Sequence, residues 1–159
     1  MYVKRSRDEN DDRLKSRNES RKEGKTKCCL EVERLKKFYP FLKDQVFYND
    51  LHNFPCVIMP YFRPLTSDER KAALKEEIRT CLSNFRDGEK RLKYMDGDLR
   101  WRHIGYFHTQ EGNKLVMFDL ADLEEVEGHD DVEGHDDVES QITALSKRLP
   151  NNNVEGADP

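Results

Sequence analysis

No apolar run in this chain approaches the length that spans a bilayer, and its first residues are too polar for a secretory signal. The expectation is an intracellular protein, cytoplasmic or nuclear, without membrane contact. Hydrophobic residues are scarce at 35%, while charged residues reach 38%, against roughly 25% in an ordinary globular protein. That balance implies one packed domain at most within 159 residues, with a good part of the chain left solvated. The four cysteines (Cys28, Cys29, Cys56 and Cys81) lack metal-ligand spacing, and an adjacent pair is badly placed to bridge, so reduced thiols are expected. The eight glycines never cluster into a loop that would cradle phosphate. Neither Lys nor Arg occurs from Ala121 to Ser140.

What is present divides the chain into three. Residues 1–27 interleave Lys and Arg with Asp, Glu and Asn, and read as a disordered mixed-charge arm; the interspersed acids argue against a nucleic-acid partner. Residues 28–123 carry the periodic apolar pattern of an α+β domain. Leu30, Val32, Leu35, Phe38 and Tyr39 recur at helical spacing until Pro40 ends the helix. Gln45–Tyr48 and Cys56–Met59 read as neighbouring antiparallel strands. Thr66 and Glu69 form a capping box ahead of a helix with Leu74, Ile78, Cys81, Leu82 and Phe85 on one face. Residues 124–159 read as a disordered acidic tail. There the block Val126–Asp131 repeats unchanged as Val132–Asp137, and His129 and His135 beside Asp pairs offer at most weak divalent-ion binding. Ile142, Leu145 and Leu149 suggest a transient helical turn within that tail.

The stretch Tyr94–Asp119 organises the rest. Asp98 lies in an Asp-Gly-Asp turn, and Asp119 ends the buried-strand pattern Leu115–Phe118. Between them Ile104–Phe107 can pair with Leu115–Phe118 across a polar turn at Glu111–Asn113. Two convergent carboxylates hold Mg²⁺ or manage a proton beside a phosphate. The plainer reading makes both of them turn and cap residues. Arg100, Trp101 and Arg102 follow Asp98, where the arginines either stabilise phosphate or compensate Asp96, Asp98 and Asp119.

This stretch resembles the catalytic core of the protein-kinase-like superfamily in degenerate form. That family carries H-R-D-L-x-x-x-N, or H-G-D in distant relatives, then a hairpin, then a strand ending in D-F-G. Here Asp96-Gly97-Asp98-Leu99 falls on the first element and Met117-Phe118-Asp119-Leu120-Ala121 on the second. The resemblance implies Asp98 as the base that accepts a hydroxyl proton, Arg100 near the transferred phosphate, and Asp119 as a metal ligand. His103 falls on the family's Asn position, where imidazole is a poorer ligand for Mg²⁺ than an amide oxygen. Asp96 replaces the family's His, and Leu120-Ala121 its Phe-Gly. The resemblance also places Met59 at the back of an adenine pocket, with the Pro60 C=O and the Phe62 N–H facing adenine. Glu31 or Glu33 would be the helix carboxylate that pairs with a strand lysine; Glu31 is taken as the site residue. ATP and Mg²⁺ are the implied cofactors.

The resemblance covers about residues 30–123. No Gly-rich loop precedes it, no strand is expected to carry the lysine, and no activation segment or Ala-Pro-Glu follows. The expectation is a truncated kinase-like protein or pseudokinase: residual Mg-ATP binding, little or no phosphotransfer, and a protein partner covering the apolar face left bare. If active, it would be an ATP-dependent phosphotransferase. Two alternatives stand beside it: a non-catalytic interaction module between charged disordered arms, and a fragment of a longer kinase-like chain.

Overall fold

The computed structural model describes residues 2–5, 15–126 and 131–149, with side chains over 19–126 and 137–149. The chain is mixed α+β and divides into two compact units, Met1–Tyr61 and Phe62–Pro159.

The first unit is a three-stranded antiparallel sheet against one long helix. Strand β1 (Tyr2–Arg5) is followed by helix α1 (Lys15–Phe38), then by strands β2 (Phe47–Leu51) and β3 (Phe54–Met59). The sheet order is β1-β3-β2. In α1 a seam of Gly24, Cys28, Glu31, Val32, Leu35 and Tyr39 is buried, at the spacing that keeps one helical face inward. Pro40 stops the helix and starts a short 3₁₀ turn that buries Leu42. His52 and Asn53 join β2 to β3 with φ of 50° and 67°. Two positive φ values make a turn whose twist matches that of the paired strands. Arg21 Nε donates to the carbonyl of Asn53 at 2.9 Å, tying the helix to that turn.

Two expectations change here. Helix α1 starts at Lys15 rather than near Cys28, because Lys, Arg and Glu are good helix formers even where they bury little, and strand β1 precedes it. A strand does carry a lysine: Lys4 in β1 takes the register position opposite Val57. Residues 6–14 of the expected arm lie outside the described residues.

The second unit begins with strand β4 (Arg63–Pro64), helix α2 (Ser67–Lys75) and helix α3 (Glu77–Asn84). One helix was expected over this stretch. Instead, Glu76 leaves helical geometry at φ −138° and ψ −57° and breaks it in two. The capping box at Thr66 and Glu69 is present in both directions. Strands β5 (Arg86–Asp87) and β6 (Lys90–Lys93) follow, then β7 (Ile104–Thr109) and β8 (Gly112–Met117), then β9 (Glu124–Glu125) and helix α4 (Asp131–Lys147). The expected hairpin is there as β7 and β8, with Ile104 opposite Met117. Its register brings Gly105 opposite Pro64, where a Cβ would stand 2.9 Å from that of Phe62. Only glycine allows that approach.

Helix α4 lies in the segment expected to be disordered. It buries Val138, Ile142 and Leu145, packs on α3 and reaches α2 and β6. The apolar face of α3 that was assigned to a partner is thus met in part by the chain itself. His129 and residues 150–159 lie outside the described residues, as does the side chain of His135. Among the described residues no helix is long and apolar enough to cross a membrane.

Candidate functional site

The site residues of the second unit come from three consecutive pieces of backbone. Residues 96–98 form a tight turn, with Gly97 at φ 84° and the Asp98 N–H donating to the Met95 carbonyl at 3.0 Å. Trp101–His103 form a 3₁₀ turn that delivers the chain into β7. Beyond β8, Phe118 N–H donates to the His103 carbonyl at 2.7 Å, and Tyr94 O–H donates to the Phe118 carbonyl at 2.6 Å. These two bonds fix the backbone on both sides of the step from Phe118 to Asp119. Phe62 packs its ring on Phe107 and Phe118, with centroids 5.6 and 4.6 Å apart.

The consequence is one close pair. His103 Nε2 stands 3.8 Å from Asp119 Oδ2, with side-chain exposures of 15% and 29%. Asp119 sits at φ 64°, in the left-handed region that non-glycine residues enter at a cost of about 1–2 kcal/mol. Such backbone outliers persist where surrounding contacts over-determine them, and they cluster at functional sites. An imidazole nitrogen and a carboxylate oxygen at this separation can share one divalent cation once Nε2 releases the Arg102 N–H that it accepts at 3.3 Å. The set has one hard oxygen donor where Mg²⁺ would ask for more, so it suits a borderline ion better than Mg²⁺. Among the described residues no group of three or more His, Cys, Asp and Glu gathers around a common point.

No protein-family model, curated protein or solved structure matches this chain. The site therefore rests on its own geometry.

Asp98 and Arg100 flank the pair in sequence, Asp98 exposed and Arg100 half-buried. Arg102 donates from Nε to His103 Nε2 at 3.3 Å, which leaves that nitrogen as the acceptor. The guanidinium stacked on Trp101 is that of Arg70, from α2, at 5.3 Å.

In the first unit Glu31 is 1% exposed, a carboxylate within the apolar seam of α1. Glu33, the alternative for the same role, is exposed. A buried carboxylate such as Glu31 must be compensated, whereas an exposed one such as Glu33 need not be. Met59 is buried at the end of β3, and Pro60 is half-buried.

Arg148 is the site neighbour that sequence reasoning missed. From the end of α4 its Nη1 donates to the Leu99 carbonyl at 2.6 Å and its Nη2 to the Gly97 carbonyl at 3.3 Å. The only sequence signal was a basic residue just past a helical apolar pattern.

Proposed function

We propose that the chain is a kinase-like protein that binds ATP with a divalent cation and transfers phosphate little or not at all. The observation that carries this reading is the approach of His103, five residues beyond Asp98, to Asp119 across the β7–β8 hairpin at 3.8 Å. Those are the two sequence positions from which a kinase holds its metal ion. In this reading Asp119 and His103 hold the cation, Asp98 accepts the hydroxyl proton, and Arg100 faces the phosphate. The adenine roles of Met59, Pro60 and Phe62 come from the resemblance alone, Met59 and Pro60 belonging to the first unit and Phe62 to the second. The helix-carboxylate role of Glu31 rests on the resemblance alone. Phosphoryl transfer depends on positioned charge, so imidazole at His103 and a carboxylate at Asp96 lower the rate.

A thermal melt of the full chain, with and without millimolar Mg-ATP or Mn-ATP, tests the reading. Ligand at about a hundredfold excess over Kd adds about 2.7 kcal/mol, a shift of several degrees for a small domain. The shift should require the cation and vanish in Asp119→Asn. No shift with either cation overturns the nucleotide reading. A second reading then stands, the interaction module. Phe47 and Phe54 favour it: they share one face of the first unit's sheet while 50% and 57% exposed.

A further inference from the structure

The turn that carries Asp98 is short, exposed and glycine-containing, yet its backbone carbonyls are not left to water. Arg148 donates to the carbonyls on either side of Asp98, those of Gly97 and Leu99. A planar guanidinium presents its donors in a fixed fork, so bonds from Nη1 and Nη2 set the direction of both carbonyls at once. Two more contacts hold α4 against the same stretch of chain. Tyr94 N–H donates to Gln141 Oε1 at 3.1 Å, ahead of the turn, and the Trp101 indole N–H donates to the Leu145 carbonyl at 3.2 Å, behind it. Leu145 itself is fully buried. The helix end is therefore rooted by packing, and Arg148 reaches from a fixed point.

We infer that Arg148 is a positioning residue for Asp98, and that α4 is the strap that holds the 97–99 turn in one conformation. A carboxylate on a loose glycine turn would sample many directions. Two charge-assisted bonds to its neighbours restrict the backbone on both sides of the carboxylate and so limit the directions it samples. The role assigned to Asp98 rests on the kinase-like reading; the strap does not, because its bonds are independent of any ligand.

The experiment is NMR relaxation on the full-length chain, comparing wild type with Arg148→Ala and Arg148→Lys. In wild type the amides of Gly97 and Asp98 should show the order parameter of rigid backbone, about 0.85, and in Arg148→Ala it should fall below about 0.6. The β8 amides and the Trp101 Nε1–H resonance should be unmoved, because α4 remains docked. Arg148→Lys, whose single ammonium cannot fork, should give an intermediate value and keeps the test open if the alanine variant does not fold. Wild-type order at Gly97 and Asp98 in the foldable variants overturns the inference. So does a loss of order that comes only together with the Trp101 and β8 signals, since Arg148 would then be ordinary packing. The nucleotide arm is separate: where wild type shows the Mg-ATP or Mn-ATP shift, Arg148→Ala should keep it, because His103 and Asp119, and not Asp98, are the residues given to the cation. A wild type without that shift defeats the kinase-like reading and leaves the relaxation result to decide the strap.

Discussion

Glu69 serves two neighbours with one carboxylate. Its Oε1 accepts from the Thr66 N–H at 3.0 Å, closing the capping box of α2, while Arg63 grips both oxygens at 2.7 Å. The Arg63 bonds, then the Thr66 bonds, lower its pKa from 4.5 to about 2. A carboxylate whose folded pKa is depressed contributes stability that is present above its unfolded pKa and is lost as pH falls through the folded one. Glu69→Gln should therefore destabilise the chain near neutrality, and the difference from wild type should shrink as pH falls from 4.5 toward 2, read by urea unfolding at stepped pH. A difference that stays constant over that window would assign the effect to packing. Tyr106 has the opposite sign. Burial first, and then its bond to Glu77 at 3.1 Å, push the phenol up to about 12. Its contribution should persist to pH 10 and be lost as the pH rises toward 12. His103 carries the residue-scale prediction for the site. His103→Asn replaces a nitrogen donor by an amide oxygen, so the thermal shift with Mg-ATP should gain on that with Mn-ATP. An unchanged ratio would remove His103 from the cation's shell.

Elements built from neighbours in sequence were legible, and elements built from distant partners were not. The hairpin of β7 and β8 could be read because its alternation, its polar turn and its partner all lie within residues 104–118. The Thr66–Glu69 box is three residues long and was equally plain. Strand β1 is four residues of Tyr, Val, Lys and Arg that owe their conformation to β3, with Tyr2 opposite Met59. No local pattern announces such a strand, because its ladder is completed more than fifty residues away. Helix α4 was half legible. Ile142, Leu145 and Leu149 suggested a transient helical turn, but the acidic repeat before them argued for solvation, and the helices α2 and α3 on which α4 packs lie far upstream. The site divides in the same way. Asp98 and Asp119 were visible because each ends a local pattern, whereas Arg148 reaches the Leu99 carbonyl from 49 residues away. Leu145 is where this element is most exposed to test. It is fully buried, so Leu145→Ala should cost about 2–5 kcal/mol in chemical denaturation. It should also shift Trp101 emission to the red, since loosening the helix at residue 145 lets water reach the buried indole that donates to its backbone carbonyl. A cost below about 1 kcal/mol would mean that α4 is only loosely seated.

At the scale of the molecule the question is what holds a charge-rich chain together. In the second unit α4 and the strands near it carry a row of ion pairs: Arg79 with Glu139, Lys93 with Asp137 at 3.7 Å and with Glu124 at 3.8 Å, and Lys90 with Glu125 at 3.1 Å. Their side chains keep between 25% and 66% of their exposure, and pairs so placed contribute roughly 0–1 kcal/mol each. Val138, Ile142 and Leu145, all buried on the same helix, contribute about 1.5–3 kcal/mol each by leaving water. Burial therefore outweighs charge by several-fold, despite a composition with more charged than hydrophobic residues. At about 1 M salt the Debye length falls to about 3 Å and the exposed pairs are screened, while apolar burial is not weakened. The sole tryptophan, Trp101, is 2% exposed and reports on the seat of α4 directly. Its emission maximum and the melting midpoint it follows should move little between about 50 mM and 1 M sodium chloride. A fall of several degrees at high salt would show that the ion pairs, rather than Val138, Ile142 and Leu145, keep the helix in place.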